Sequence, residues 1–293
     1  MDKAICVSAP CKINLHLRVL ERRADGYHDI ESVFQLVSLA DGLSVSIAGD
    51  SGECRVVSPH MELPPVNTVS RAVELFREET GIREGIRIDL DKRIPSGAGL
   101  GGGSADAAAA LFALDRLFGT ALDRSVMARM AALIGSDVPF FLEGAAAIVE
   151  GRGERVTPIT AREDLYGVLV WPDVHSATAE AYGLVDRWQA EGRERGIDWP
   201  SVSELAGMYN GAIGDWRFAN SFTAPLESRY PVIRDARLAL IDAGAVFAEM
   251  SGSGSTVYGL FASSEAAEAA WRRLSVYWKQ CVKFLLLASS PMQ

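Results

Sequence analysis

The 293-residue sequence is poor in the residues that build disulfide scaffolds and metal clusters, with four cysteines and four histidines. Cys6, Cys11, Cys54 and Cys281 form no CxxC pair and no metal-ligand spacing, so they read as reduced thiols of a cytoplasmic protein. His16, His60 and His175 have no partner at ligand spacing either. Long apolar runs are missing: residues 284–288 are far too few to span a bilayer, and MDKAICVSAPCKINLHL has no signal-peptide core. Basic runs are missing too, and the formal net charge is −9, which disfavours a nucleic-acid-binding face. A polyanionic ligand would have to be met by local positive potential: loop amides, a helix end, a few placed Lys and Arg. What remains is ordinary globular composition, 48% hydrophobic and 23% charged, enough for two modest cores.

Against these absences stands one strongly biased stretch, residues 95–111, reading PSGAGLGGGSADAAAAL. Gly97, Gly99, Gly101, Gly102 and Gly103 fall within seven residues. Without Cβ, such backbone can take positive φ and bring its N–H groups close to a ligand. Ser104 reads as the N-cap of a helix running from residue 105 to 118, with Gly119 as its stop. A glycine loop feeding a helix N-terminus favours anions, so a phosphate-bearing ligand is expected. No Lys-Ser or Lys-Thr pair follows the glycines, which excludes a Walker loop. Gly97, Gly99 and Gly102 fit GxGxxG, but Pro95 interrupts the incoming strand and no acid-ended second strand follows. A flexible surface loop is disfavoured by the capped helix that succeeds it.

The rest of the chain mixes strands and helices without βαβ regularity, which argues for α+β. Alternation places Ile13, Leu15, Leu17 and Val19 on one face of a strand at 7–20, with Lys12 and Asn14 as its odd polar members. Strands are expected at 30–39 and 43–47, broken at Asp41-Gly42, and at 86–90. Periodicity predicts helices over 68–80, ending at Gly81, and over 124–134, with Asp123 as cap and Gly135 as stop. Asp137 then precedes a short apolar stretch, Val138-Pro139-Phe140-Phe141, read as a buried strand. Further strands are expected at 146–150, 166–171, 246–250 and 282–287, and after the second glycine turn, SGSGSTVYGLF, at 251–261. Helices are expected at 177–187, 202–208, 228–243 and 265–274. The polar stretch 188–200 reads as surface, and a domain division is placed near residue 155.

PSGAGLGGGSADAAAAL resembles the phosphate-binding motif of the GHMP kinases, and its ending is similar to that of the 4-diphosphocytidyl-2-C-methylerythritol kinases among them. APCKINLHL is similar to that group's first motif, GSDVPFF to its acid-bearing motif, and RRADGYH to its cytidine-pocket motif. The resemblance covers residues 8–155 strongly; beyond them it lies mainly at 251–261, which is similar to the third superfamily motif. It implies an α+β fold of two domains, 1–155 like the second domain of ribosomal protein S5 and 156–293 ferredoxin-like. It implies ATP and Mg²⁺ at Pro95, Gly97, Gly99, Leu100, Gly101, Gly102, Gly103 and Ser104, with Asn67 near adenine and no protein metal site. Lys12 would stabilise the reacting oxygens and Asp137 would take the acceptor's proton. Asn14, Tyr27, His28 and Tyr182 would hold a cytidine diphosphate-linked polyol, with Tyr27 stacked on the base. By residue chemistry alone, Lys12 reads as solvated, Tyr27 and His28 as surface packing, and Asp137 as a turn residue. The family's common Asn-Asp-Leu is replaced here by Asn220-Ser221-Phe222, for which a structural role is expected. A homoserine- or mevalonate-type kinase is the neighbouring alternative, disfavoured by RRADGYH. A non-catalytic sensor is disfavoured because Lys12 and Asp137 are both present. No nucleic acid or membrane partner is expected, and the chain is expected to be a monomer or weak homodimer.

Overall fold

A computed structural model describes residues 4–49, 52–59, 61–194 and 196–292, so His60 lies outside the described residues. The first half comprises β1 (Ala4–Arg22), β2 (His28–Ile47), β3 (Cys54–Val57), α1 (Thr68–Thr80) and β4 (Ile86–Asp91). It continues through α2 (Gly102–Phe118), α3 (Arg124–Ile134), α4 (Val138–Glu143), β5 (Ala146–Gly151) and β6 (Arg155–Pro158). Its six strands run β3-β4-β2-β5-β6, with β1 paired along β2. The 20-residue β2 is the spine: its start pairs with β5, its end with β4, and most of its length with β1. The expected break at Asp41-Gly42 does not occur. Gly42 stays in register with Asp91 and Ser8, while the Asp41 carboxylate turns inward to accept from the Arg93 and Ile94 amides.

The alanine run of α2 has a packing reason. Ala105 and Ala107 to Ala110 are fully buried, and side chains this small let the helix axis approach α1 and the β1–β2 face closely. Asn67 caps α1 by accepting from the Val69 and Ser70 amides, and Gly81 ends it in the left-handed region. Asp123 stands at the N-cap position of α3 without a side-chain cap bond.

The second half comprises β7 (Tyr166–Val170), α5 (Thr178–Ala190), α6 (Val202–Asn210), α7 (Thr223–Arg229), α8 (Pro231–Asp242), β8 (Phe247–Met250), β9 (Val257–Phe261), α9 (Ser264–Leu274) and β10 (Cys281–Leu285). Its antiparallel sheet runs β10-β7-β9-β8. The first sheet therefore includes β6 to Pro158, and the second starts at Tyr166. The single helix expected over 228–243 is two, because Pro231 lacks an N–H and opens α8 afresh at its first turn. β3 and β6 escaped the sequence reading because four-residue strands are too short to show alternation. Both halves mix helix and sheet as expected, and no helix among the described residues is long and apolar enough to cross a membrane.

Among the described residues, two isolated β-bridges join the halves, beside further hydrogen bonds at the glycine turns. Leu17 exchanges backbone hydrogen bonds with Ala219 and Ser221, and Leu287 donates to the Leu36 carbonyl. A shared apolar core joins them, in which Ile13, Leu15, Val33 and Val37 of the first half meet Leu169, Tyr209, Tyr258 and Phe284 of the second. His16 sits at this seam, fully buried between the rings of Trp199 and Phe218. Its Nδ1 accepts from the Ala219 amide at 3.4 Å, and Nε2 has no partner among the described residues. Burial, with Arg18 adding, pushes its pKa down to about 3.

Between about pH 3 and the unfolded histidine value near 6.5, the unfolded chain binds a proton that folded His16 cannot, so stability falls as pH drops through that window. The expected loss attributable to His16 is about 2 kcal/mol at pH 5. Denaturant unfolding at pH 7 and pH 5 should show a smaller acid loss in His16→Phe than in the unaltered protein. Identical losses would remove His16 from the acid response.

Candidate active site

The glycine loop is shaped by a second turn pressed against it. Gly97, Gly99 and Gly101 take positive φ of 66°, 80° and 69°. A Cβ on Gly99 would lie 2.0 Å from the Ser251 carbonyl oxygen, and one on Gly252 would lie 2.9 Å from the Gly99 oxygen. The loops thus pass closer than any side chain permits. Ser251 Oγ donates to the Gly99 carbonyl at 2.9 Å and accepts from the Asn14 amide at 3.2 Å. Asn220 Nδ2 donates to the Met250 and Gly252 carbonyls at 2.8 and 2.9 Å, which secures the outer turn. Ser221 Oγ accepts from the Val19 amide at 3.1 Å. These contacts give Asn220-Ser221-Phe222 a structural role.

Ser104 does not cap α2. The helix begins two residues earlier, at Gly102, because Gly101 in the left-handed region already occupies the N-cap position. No side chain caps this N-terminus; the Ser104 and Ala105 amides donate to the Gly101 carbonyl, which leaves the Gly102 and Gly103 amides to a ligand, and the Ser104 hydroxyl is not consumed by capping. Pro95, Gly97, Gly99, Leu100, Gly101, Gly102, Gly103, Ser104 and Asn67 line one cavity of about 520 Å³. The Leu100 side chain is buried, and its carbonyl accepts from the Lys12 amide at 3.0 Å, which fastens the loop to β1.

Beneath the loop lies a buried cluster that the sequence reading missed. Lys92 Nζ donates to Asp41 and, at 2.7 Å, to Asp106. Burial alone would lower the Lys92 pKa, but the Asp106 and Asp41 carboxylates outweigh it and raise it. Burial pushes Asp106 up to about 7 against the pull of Lys92. The visible signal was a lone acid inside the alanine run, where an unpaired charge could not be buried.

A second cavity, of about 430 Å³, shares Gly97, Gly99 and Gly101 with the first. Lys12, Asn14 and Asp137 face it. Irregularities in β1 between Pro10 and Lys12 and between Asn14 and His16 interrupt its register with β2. Lys12 Nζ lies 2.5 Å from Asn14 Oδ1, 3.6 Å from Asp137 Oδ2 and 4.5 Å from the Phe34 ring centroid. Burial lowers the Lys12 pKa below the ordinary lysine value, with Asp137 pulling against it. Asn14 Nδ2 donates to Ser32 Oγ at 3.0 Å, which fixes its amide so that Oδ1 faces the lysine. Asp137 stands at the start of α4, and Val138 to Phe141 form a buried helix rather than a strand. Pro139 suits a first helical turn, where no N–H is needed.

A third cavity, also about 430 Å³, holds Tyr27, His28 and Tyr182 and shares Arg152, Thr178 and Tyr182 with the second. His28 Nε2 lies 2.7 Å from Asp186 Oδ1, and its ring stacks on Tyr182 at 4.9 Å. In the neutral ring the nitrogen meeting the carboxylate carries the proton, and Nδ1 is then an acceptor. Tyr27 is 59% exposed, with the Arg152 guanidinium 5.1 Å from its ring centroid. Neither Asp186 nor Arg152 was foreseen. His175, which sequence left without a role, lies against Gly97. No group of three or more His, Cys, Asp or Glu side chains suited to a metal exists among the described residues.

Residues 67–145 match the family described as GHMP kinases N terminal domain, and residues 198–280 match GHMP kinases C terminal. The chain is 45% identical over 290 residues to 4-diphosphocytidyl-2-C-methyl-D-erythritol kinase of Treponema pallidum, covering 97% of this chain and 99% of the relative. To the same-named protein of Geobacter metallireducens it is 37% identical, covering 92% and 93%. A crystal structure of 4-(cytidine 5'-diphospho)-2C-methyl-D-erythritol kinase superposes with TM-score 0.81 at 33% identity, covering 96% of this chain and 99% of that one. Homoserine kinase from Cytophaga hutchinsonii shares the fold at TM-score 0.73 and 21% identity, covering 99% and 96%.

The loop geometry separates two glycines that sequence treats alike. Gly99→Ala is expected to lower stability by about 2–4 kcal/mol, through strain and backbone collision. At Gly103, within α2, a Cβ would meet nothing nearer than Thr68 Oγ1 at 3.4 Å, and Gly103→Ala should leave stability unchanged or raise it. Thermal denaturation without nucleotide reads this contrast; equal melting temperatures would refute the interlock.

Proposed function

The chain belongs to the GHMP kinases, among the 4-diphosphocytidyl-2-C-methyl-D-erythritol kinases, and on that premise we propose that Lys12 and Asp137 are its reacting pair. It is an ATP-dependent kinase that phosphorylates the 2-hydroxyl of the cytidyl-linked methylerythritol, in isoprenoid precursor synthesis. The observation that carries the residue assignment is continuity. The cavity of the glycine loop shares Gly97, Gly99 and Gly101 with the one holding Lys12 and Asp137, which shares Arg152, Thr178 and Tyr182 with the one holding Tyr27 and His28.

In this reading ATP places its phosphates on the amides of the glycine loop and the N-terminus of α2, with Asn67 and Thr68 lining the same cavity. The loop fits the group, since its positive-φ glycines present backbone where a Cβ would intrude. Mg²⁺ would neutralise phosphate charge; with no three-acid cluster among the described residues, the phosphates, water and the Ser104 hydroxyl would hold it. The acceptor hydroxyl lies between Lys12 and Asp137. Asp137 accepts its proton, while the Lys12 ammonium offsets charge on the attacking and transferring oxygens. The acceptor oxygen bonds to the γ-phosphorus as the bond to the β–γ bridging oxygen breaks, releasing ADP. Asn14 keeps the ammonium aimed, and burial of Lys12 at 3% exposure strengthens its field. Tyr27 offers a face to the cytosine, and His28 Nδ1 an acceptor for its amine.

Lys12→Ala and Asp137→Asn should each cut turnover severely while leaving ATP binding nearly intact. The double variant should be little worse than the worse single, because the pair acts as a unit. Turnover of the unaltered enzyme should fall on the alkaline side below the ordinary lysine value of 10.5, as the ammonium of depressed pKa loses its proton. ADP release with the cytidyl substrate beside homoserine, mevalonate and galactose checks the acceptor. Near-normal turnover in either single variant would refute the pair.

Tyr27→Ala is expected to raise KM for the cytidyl substrate roughly 5- to 150-fold, since base stacking contributes about 1–3 kcal/mol. Turnover at saturation should fall less, because the stack exists in ground and transition states alike. Steady-state kinetics decides it, and an unchanged KM would place the base elsewhere.

A further inference from the structure

The charge of Lys12 depends on a side-chain amide whose two ends differ in what they can donate. Asn14 Oδ1 lies 2.5 Å from Lys12 Nζ, and Asn14 Nδ2 lies 3.0 Å from Ser32 Oγ. Turned over, the same amide would set an N–H donor against Nζ. That arrangement repels an ammonium and suits the lone pair of a neutral amine. While Lys12 is charged, its own protons hold Oδ1 in place; once it loses one, another group has to oppose the turn. Ser251 Oγ, 3.5 Å from Oδ1, does not serve, because its proton goes to the Gly99 carbonyl at 2.9 Å.

The polarity traces back to a group that has no choice. A backbone carbonyl can only accept, and the His16 carbonyl takes the Ser32 hydroxyl proton. With that single proton committed, Ser32 Oγ can only accept from Asn14. The amide end that meets it is therefore Nδ2, and the end left for Lys12 is Oδ1. Burial closes the alternatives. Ser32 and His16 are fully buried, and Asn14 and Lys12 are 2% and 3% exposed, so bulk water does not compete for these atoms. Ser32 stands on β2 opposite Leu17 of β1, beside the irregularity in register between Asn14 and His16, and reaches both residues. A hydroxyl so deeply buried costs more than an apolar side chain unless its bonds are used.

We propose that Ser32 is a positioning residue for the transfer: through Asn14 it passes the polarity of the His16 carbonyl to Lys12 and holds the lysine as an ammonium. The proposal rests on the reading of Lys12 as a reacting group. Ser32 lies outside the lining of the reaction cavity, so its effect travels through Asn14. The titratable and charged groups around Lys12 are Asp137 at the start of α4 and Cys11 beside it on β1. Arg152, His175 and Tyr182 line the same cavity. Burial works against the ammonium and Asp137 works for it. The relay adds a preference that requires no further charge in the site.

Ser32→Val and Ser32→Thr test it, since the two side chains share one shape, suit a strand and differ by a hydroxyl. Carbon NMR of the full chain with lysines labelled at Cε follows the Lys12 titration directly, its resonance identified by its loss in Lys12→Ala. Ser32→Val should move that titration to lower pH by about one pH unit, the effect of losing a hydrogen bond to a charged group. Ser32→Thr should keep it near that of the unaltered protein. The alkaline limb of kcat/KM, which reports groups of the free enzyme, should move with it. In an Asn14→Ala background, Ser32→Val should move neither. Ser32→Ala, which adds no volume, replaces the pair if the larger side chains disturb folding. A Lys12 titration unmoved by loss of the hydroxyl, even with turnover lowered at every pH, overturns the relay and leaves the reacting pair standing. A titration that moves while the kinetic limb stays in place would instead remove Lys12 from the reaction, and the relay's part in transfer with it.

Discussion

The approach of two glycine turns, residues 97–101 from one half and 251–254 from the other, is the contact on which the site depends. Ser251 ties the Gly99 carbonyl to the Asn14 amide, and Leu100 ties the loop to Lys12. The strand that bears Lys12 is thereby bonded to both turns. Tyr258 OH adds a bond to the Asn14 carbonyl at 2.8 Å, from the strand that follows the outer turn. A shift of either half would alter the loop, the lysine and their spacing together. Such a site is preorganised, which is what transfer through positioning and charge neutralisation requires.

The electrostatics follow from the same economy of cations. An acidic protein that binds two polyanions has no general positive field to offer. Its positive potential is concentrated in helix ends, loop amides and three cations at distinct depths. Lys92 is neutralised by two carboxylates beneath the loop and holds α2 to β2. Lys12 is partly balanced by Asp137 at 3.6 Å and faces the second cavity. Arg152, at the rim, lies over the Tyr27 ring and helps lower the Asp25 pKa, with no close ion pair among the described residues. Lys12 is the more buried of the two lysines and has one carboxylate at 3.6 Å, so burial prevails and lowers its pKa, whereas two closer carboxylates raise that of Lys92.

The acceptor side is built differently. Homoserine kinase shares the fold at 21% identity, so the scaffold alone does not choose the acceptor. In this chain the cavity proposed for the acceptor's base is lined by the turn after β1, the turn after β5 and the first turns of α5. These are surface segments carried on rigid elements, where side chains can change without disturbing the shared core.

Much of this was legible in the sequence because it depends on local rules. Clustered glycines before an alanine run specify a loop and a helix end, and the 3.6-residue periodicity of residues 68–80 marks α1 to the residue. Lys12 and Asp137 could be singled out by their motifs, and the structure brings them within 3.6 Å across 125 positions. What local pattern could not decide was partnership. Asp41 read as a turn residue, yet Lys92 and two amides draw it inward and leave β2 continuous. Ser104 read as a cap, yet Ser251 and Gly252 press on Gly99, and the neighbouring Gly101 takes the cap position. Arg152 and Asp186 carried no signal, because their meaning comes from elements far away in the chain. Side-chain periodicity reports which face of a segment is buried; which charge or carbonyl waits on the other side is decided only when the halves close on one another.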